Sequence, residues 1–254
     1  MNIVVNNLLT SYLESGPAGA PVVLMLHGWG TNSRTFDGLV RDLTPKYRVL
    51  CLDLPGFGSG QSPPAAWHIH DYATFVQAFL HKLEIRRQHA IIGHSFGGRI
   101  AIKAVGTRLL EPSRLILMDS AGVRHSASVP NQIFKVIAKT GKAATSLPGL
   151  SRLRGKLRRN LYRAAGSSDY LTAGALRQTF INTINEDIQP DAARITIPTL
   201  LIWGAADTDT PSTDGRTLAN LIPHSTFSLV AGAGHFVHHD APDRVAALID
   251  EFLA

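Results

Sequence analysis

The chain has 254 residues, of which 44% are hydrophobic and 17% charged, a composition typical of a folded globular protein and not of a disordered one. It has no apolar run near the roughly 20 residues of a membrane span, no visible secretory signal, and a single cysteine, Cys51, which excludes an internal disulfide. We therefore expect a cytoplasmic protein, and its formal net charge of +6 raises the question of where that charge lies.

Apolar runs and helical patterns alternate along the chain. Two short strands, at residues 3–5 and 8–14, flank Asn6-Asn7, a pair typical of a tight hairpin. Six apolar runs follow at 21–26, 48–53, 89–93, 114–119, 199–203 and 226–230, and helical patterns lie at 33–43, 71–83, 97–106 and 243–253. This order predicts an α/β fold, with a mostly parallel sheet and helices on both faces.

The alternation breaks once, over residues 122–192, where the sequence is helix-like and rich in glycine and proline. We therefore predict a core domain made of residues 1–121 and 193–254, with a helical cap at 122–192 inserted in it. An insertion after a strand of such a sheet would lie over the ligand crevice.

The positive charge is concentrated in that insertion. Residues 121–195 contain 12 Lys/Arg and 4 Asp/Glu, which leaves the rest of the chain at −2. The surface could be merely solvated, or could attract anionic substrates or an acidic surface to which the protein binds peripherally. Nucleic acid is not an expected partner, because no recognised binding module accompanies the charge.

A candidate nucleophile lies between the run at 89–93 and the helix at 97–106. Gly93-His94-Ser95-Phe96-Gly97 fits G-x-S-x-G, in which the serine sits on a strained turn from strand to helix. The turn exposes the hydroxyl of Ser95 at a helix N-terminus, where free N–H groups favour a developing anion. His94 is expected to be packed and not to transfer protons.

Six segments in the same order, this one included, resemble the α/β-hydrolase superfamily, in the branch that carries H-G-x-G after an early strand. They are residues 27–30, 53–56, 93–98, 119–122, 203–211 and 232–235. The resemblance implies an α/β-hydrolase sheet with a helical cap. It leaves esterases, lactonases, C–C hydrolases, lyases and perhydrolases open, whereas serine at position 95 argues against the branches that use an aspartate nucleophile.

A serine hydroxyl needs a base, usually a histidine that a carboxylate orients. His235, in a glycine loop after the last strand, is the predicted base. The resemblance favours Asp207 as the acid, and Asp209 and Asp119 remain alternatives. It also places two backbone N–H donors for the oxyanion at Trp29 and at Phe96, the residue after the nucleophile.

Other side chains have weaker indications of a role. Arg99 either reaches a substrate carboxylate or faces solvent or a neighbouring loop, and Phe134 and Tyr170 of the predicted cap are candidate substrate contacts. His238 and His239 are spaced for a metal site, but we expect them to be solvated or to face a partner. No metal is therefore expected. No cofactor is expected either, because the phosphate-loop and dinucleotide motifs are missing.

The sequence therefore predicts a serine hydrolase that cleaves a carboxylic ester or a lactone through an acyl-enzyme, as a monomer or homodimer. Two alternatives remain. One is a C–C hydrolase or lyase that acts on an anionic substrate, and the other is a hydrolase-derived receptor for a small molecule.

Overall fold

The computed structural model describes residues 1–124 and 174–254. Within these stretches one sheet contains eight strands: β1 (Asn2–Val5), β2 (Leu8–Ser15), β3 (Val22–Leu26), β4 (Arg48–Leu52), β5 (Ala90–His94), β6 (Arg114–Met118), β7 (Thr199–Gly204) and β8 (Ser225–Val230). Their order across the sheet is β1-β2-β4-β3-β5-β6-β7-β8. The pairs β1/β2 and β2/β4 are antiparallel, and the other pairs are parallel.

Helices lie between the strands in sequence. They are α1 (Asp37–Leu43), α2 (Ile69–Lys82), α3 (Phe96–Gly106), α4 (Arg177–Asn185), α5 (Gln189–Ala192), α6 (Ser212–Leu221), α7 (Val237–Asp240) and α8 (Pro242–Leu253), with single 3₁₀ turns at Ser33–Phe36 and Gly174–Leu176. The expected α/β-hydrolase sheet is confirmed. In the part of the chain that the structure describes, no helix is long and apolar enough to cross a membrane.

The strands bury both faces of the sheet because alternate side chains point to opposite sides. Leu24 and Leu26 of β3 pack into the cluster that contains the apolar faces of α2 and α3. Val23 and Met25, their neighbours on the same strand, pack into the cluster formed with α1 and α8. This arrangement explains why the strands are continuous apolar runs and not alternating ones.

The first hairpin follows from its two asparagines. Asn6 and Asn7 have φ angles of 47° and 64°, the left-handed region that asparagine tolerates better than most residues. The turn pairs β1 with β2, so that Val5 lies opposite Leu8.

Cys51 on β4 is buried, and burial raises the pKa of its thiol.

The predicted cap at 122–192 falls largely outside the described residues, and its boundaries stay a prediction. Its last part, 174–192, lies against the core. The Trp67 N–H donates to Thr179 Oγ1 (3.1 Å), and the ring of Phe180 contacts that of Trp29, with centroids 5.0 Å apart. This end of the segment therefore approaches the carboxyl ends of the parallel strands, where the candidate site lies.

Candidate active site

Ser95 lies on a sharp turn between β5 and α3. Its backbone has φ 50° and ψ −112°, in a region that non-glycine residues rarely occupy. A Cβ added at Gly97 would lie 2.0 Å from the carbonyl oxygen of Leu26. A Cβ added at Gly93 would lie 2.5 Å from the Cα of Gly98. The turn therefore requires glycine on both sides of the serine, as the G-x-S-x-G spacing predicts.

The structure brings the side chains of Ser95, His235 and Asp207 into one row. Asp207 follows β7 and His235 follows β8, so both lie at the same edge of the sheet as the turn after β5. Nε2 of His235 is 2.9 Å from Ser95 Oγ, and Nδ1 is 2.9 Å from Asp207 Oδ2. With the ring proton on Nδ1, Nε2 is free to accept the serine proton. Such a row can deprotonate the hydroxyl as its oxygen attacks a carbonyl.

Of the three candidate acids, Asp207 is the one within hydrogen-bond distance of the His235 ring. Its Oδ1 accepts the backbone N–H of Asp209 (2.8 Å). Asp119 is buried and accepts backbone N–H groups from Gly204 (2.8 Å) and Val237 (3.1 Å). Burial raises the pKa of Asp119 to about 7, against the opposing effect of these two hydrogen bonds.

The charges of the row favour a proton on the imidazole. Burial lowers the pKa of His235, but the hydrogen bond and negative charge of Asp207 outweigh it, and the pKa lies above its ordinary value. Burial raises the pKa of Asp207, but hydrogen bonds from His235 and Thr210 outweigh it, and the pKa lies below its ordinary value. Asp207 is therefore charged at neutral pH and stabilises an imidazolium beside it.

Sequence reasoning missed Thr210. Its Oγ1 lies 2.7 Å from Asp207 Oδ2, 3.0 Å from the carbonyl oxygen of Asp119 and 3.3 Å from His235 Nδ1. Its backbone N–H also donates to Asp207 Oδ1 (3.0 Å). Asp207 thus accepts the N–H groups two and three residues after it in the sequence, and aspartate side chains commonly bond to main chain just after them. An aspartate that bonds to its own turn is the signal by which Thr210, three residues later, could have been found.

The loop after β3 lies against the turn that carries Ser95. A Cβ added at Gly28 would lie 3.4 Å from the Cβ of Ser95. Burial lowers the pKa of His27 to about 4, so its ring is neutral at working pH. It donates from Nδ1 to the carbonyl oxygen of Gly28 (2.8 Å) and accepts the Leu54 N–H at Nε2 (3.0 Å). Because a peptide group is planar, fixing the Gly28 carbonyl also fixes the direction of the Trp29 N–H.

The N–H of Phe96 is the other predicted oxyanion donor, and it opens α3, where the first N–H groups lack partners within the helix. The two donor residues also touch through their side chains. The Trp29 ring makes an edge contact with Phe96 at 5.2 Å and one with Phe57 at 4.8 Å. An apolar aromatic wall therefore stands beside the predicted oxyanion hole.

Two further histidines lie close to His235. His94 is buried, as expected, and burial lowers its pKa to about 3. The expectation that His238 is solvated is wrong: its side chain is buried beside Phe36 and His94, and burial lowers its pKa to about 2. His239 is exposed and lies 2.7 Å from the carbonyl oxygen of Thr35. Over residues 1–124 and 174–254, no three potential ligands are grouped to hold a metal ion.

Arg99 points to a neighbouring segment of the chain. Its buried Nη1 donates to the carbonyl oxygens of Thr183 and of Glu186, the latter at 2.8 Å. One turn later in α3, Lys103 forms ion pairs with Asp191 and with Glu186 Oε1 (3.0 Å). These contacts join α3 to α4 and α5. The remaining candidates, Phe134 and Tyr170, and most of the basic segment at 121–195 lie outside the described residues.

Comparison with known proteins identifies similar chains. A model of the alpha/beta hydrolase family matches residues 23–248. The magnesium-chelatase 30 kDa subunit of Rhodobacter capsulatus is 28% identical over 261 positions, which cover 95% of this chain and 89% of that one. The 2-hydroxy-6-oxononadienedioate/2-hydroxy-6-oxononatrienedioate hydrolase of Cupriavidus pinatubonensis is 25% identical over 258 positions, which cover 93% and 88%.

Among solved structures, the enol-lactonase from Burkholderia xenovorans matches with a TM-score of 0.78 at 22% identity, over 100% of this chain and 99% of that one. At this level of identity the match supports the fold alone. The names of the three similar proteins cover different activities, so the comparisons leave the substrate open.

Proposed function

The chain belongs to the alpha/beta hydrolase family, and from this premise we propose that it is a serine hydrolase of carboxylic esters or lactones. The observation that carries the proposal is the row of Ser95, His235 and Asp207, joined by two contacts of 2.9 Å each. In this proposal Ser95 is the nucleophile, His235 the base and Asp207 the group that orients the base.

The first half of the proposed reaction forms an acyl-enzyme. Ser95 Oγ attacks the carbonyl carbon while Nε2 of His235 takes the hydroxyl proton, and Asp207 stabilises the imidazolium. The carbonyl oxygen becomes an anion that the N–H groups of Trp29 and Phe96 bind. When the tetrahedral intermediate collapses, the bond to the alcohol oxygen breaks and His235 returns the proton to that oxygen.

The second half repeats the sequence with water. His235 removes a proton from a water molecule, whose oxygen attacks the acyl carbon and forms a second tetrahedral intermediate. The bond to Ser95 then breaks, and the proton on Nε2 goes back to the serine oxygen. The products are a carboxylic acid and the alcohol released earlier, which for a lactone are parts of one molecule.

We also propose that residues 122–192 form a helical cap over this site, with Phe134 and Tyr170 among the substrate contacts. Support comes from the end of the segment, where Phe180 packs against Trp29 beside the predicted oxyanion hole. The aromatic rings of Trp29, Phe57 and Phe96 favour an apolar acyl group over a charged one.

A second candidate is C–C bond hydrolysis of an anionic dienoate. The similar Cupriavidus hydrolase, whose name denotes such a substrate, supports it. The position of Arg99 argues against its binding of a substrate carboxylate. Its guanidinium already donates to backbone carbonyls of α4 and of the residue after it. A receptor that binds its ligand without efficient turnover is the third candidate.

The test is hydrolysis of p-nitrophenyl esters and of lactones of graded chain length by the parent and by Ser95→Ala. We expect the substitution to lower kcat/KM by roughly 10³-fold or more. A fluorophosphonate should phosphonylate the Ser95 oxygen in the parent with loss of HF, and so add the mass of its phosphonyl group. The matched control is Ser113→Ala, at an exposed serine immediately before β6, and this variant should retain full activity.

The outcomes separate the three candidates. Equal hydrolysis by Ser95→Ala and the parent would contradict the proposal. Cleavage of a carboxylated dienoate but of no ester would favour C–C hydrolysis. Ligand binding that raises the melting temperature without turnover would favour a receptor.

A further inference from the structure

His94 makes a direct contact with the main chain of the proposed base. It is the last residue of β5, immediately before Ser95, and its side chain is 0% exposed. Its Nε2 lies 2.8 Å from the carbonyl oxygen of His235. A carbonyl oxygen only accepts, so Nε2 carries the ring proton and donates it.

The sheet alone positions Ser95 and His235 only indirectly. Ser95 follows β5 and His235 follows β8, and two strands, β6 and β7, lie between them. The relative position of the two side chains therefore depends on three successive strand pairings and on two loops. The bond from His94 to His235 connects the residue beside the nucleophile with the base itself, and bypasses those pairings.

The loop that carries His235 makes further contacts. Its Ala233 carbonyl oxygen accepts the Ala206 N–H (2.8 Å), and its Gly234 N–H donates to Asp240 Oδ2 (2.8 Å), at the end of α7. Its Val237 N–H donates to Asp119 Oδ2 (3.1 Å), which ties it to the end of β6. Of these contacts, the one made by His94 ties the loop to the turn that bears Ser95.

The environment of His94 indicates that its donor, and not only its volume, is needed. Among the described residues Nδ1 has no hydrogen-bond partner, and a Cβ added at Gly28 would lie 2.9 Å from it. A buried nitrogen without a partner lowers stability. An apolar side chain of similar size would avoid that cost, but it could not donate to His235.

We propose that His94 is a positioning residue that sets the distance between Ser95 Oγ and His235 Nε2 by donating to the His235 carbonyl. This inference rests on the proposed function. Loss of the donor would let the His235 loop move away from the nucleophile turn. A displacement of about 1 Å between reacting groups is enough to lower a rate by about 10²-fold.

The test compares His94→Gln with His94→Met. The two side chains have similar length, but only glutamine can place an N–H near the position of Nε2. We expect His94→Met to lower kcat roughly 10- to 100-fold with KM nearly unchanged, and His94→Gln to stay within about threefold of the parent. Active-site titration corrects both values for the folded fraction.

His89 provides the matched control at the other end of β5. Its Nε2 lies 3.2 Å from the carbonyl oxygen of Leu253, so it makes the same kind of contact far from the site. His89→Met should lower the melting temperature and leave kcat unchanged. Equal kcat in His94→Met and the parent, or equal losses in His94→Met and His94→Gln, would overturn the inference.

A crystal structure of His94→Met provides a readout that does not depend on turnover. We expect its Ser95 Oγ and His235 Nε2 to lie beyond hydrogen-bond distance, and an unchanged separation would contradict the inference. The proposed function fails separately, by full activity of Ser95→Ala. The crystallographic result would then still decide whether His94 positions His235.

Discussion

The choice of the acid shows that a residue type alone does not identify a site residue in the sequence. Three aspartates follow strands at the correct edge of the sheet, and the residues alone leave Asp207, Asp209 and Asp119 all open as acids. The choice depends on where each carboxylate finds donors. Asp207 folds back on the N–H groups of its own turn and reaches His235, whereas Asp119 is engaged by Gly204 and Val237.

The pH dependence of kcat/KM should report the His235 pKa in the free enzyme. The base acts when Nε2 is unprotonated, so activity should rise with pH. Because Asp207 holds the His235 pKa above its ordinary value, the midpoint should lie above about pH 6.5. In Asp207→Asn that charge is lost and burial dominates, so the midpoint of the residual activity should move below the parent value.

Asp209→Asn is the control for this profile. Asp209 acts on the His235 pKa through its charge alone, so its substitution should shift the midpoint less and preserve most of the rate. Asp207→Asn should lower kcat/KM by roughly 10³-fold or more. A larger loss in Asp209→Asn than in Asp207→Asn would assign the acid to Asp209.

The contacts of Arg99 could not be predicted from its place in the sequence. Its position in the first turns of α3 leaves two directions open, toward a substrate or toward a neighbouring loop. Its contacts with Thr183 and Glu186 come from a segment more than 80 residues later. No local pattern in the sequence indicates which distant carbonyl groups will lie beside a helix, so this contact was beyond prediction.

At the scale of elements, the turn that carries Ser95 depends on close approaches of main chain. Gly97 faces the end of β3, and any side chain there would meet the carbonyl of Leu26. Neither side of that contact can move far, because β3 and β5 are paired in the centre of the sheet. The strand and helix around Ser95 were predictable from apolar patterning, and the glycines from the motif.

Gly97→Ala should therefore lower the free energy of unfolding by about 3 kcal/mol or more and reduce kcat, because the turn must shift. Gly38→Ala is the matched substitution in α1, where an added Cβ meets nothing within 4 Å. Since alanine favours the helix by about 1 kcal/mol, Gly38→Ala should stabilise the protein. Urea denaturation measures both changes, and equal stability of the two variants would contradict this account.

Helix α6 (Ser212–Leu221) was not predicted, and its sequence explains why. It contains few apolar residues and has Gly215 in its interior, which weakens the local preference for a helix. A Cβ at Gly215 would lie 2.7 Å from the buried ring of Trp203, so the glycine serves packing against β7. Similarly, the predicted helix at 33–43 begins as a 3₁₀ turn, Ser33–Phe36, before α1. Tertiary contacts decide such boundaries.

At the scale of the whole molecule, the site concentrates uncharged imidazoles in the interior. His27, His94 and His238 are all buried, and burial lowers their pKa values to about 4, 3 and 2. Neutral rings beside His235 do not repel the imidazolium that the proposed mechanism forms. The same burial makes the folded state sensitive to acid.

The direction of that sensitivity follows from proton linkage. Below about pH 6.5 the unfolded chain protonates these three imidazoles, while the folded chain does not until a much lower pH. Their stability contribution is therefore complete above pH 6.5 and is lost as pH falls. Asp119 reduces this loss of stability by the equivalent of one proton. Its pKa in the folded state is about 7, so the folded chain holds a proton there that the unfolded chain has already released.

We expect the free energy of unfolding to fall as the pH is lowered from 6.5 to 4.5. The slope should correspond to a net uptake of about two protons on unfolding, and each proton contributes about 1.4 kcal/mol per pH unit. His238→Gln should flatten the slope by about one proton. Urea midpoints measured across this range test the prediction. Identical slopes in His238→Gln and the parent would mean that His238 takes up its proton in the folded protein as readily as in the unfolded chain.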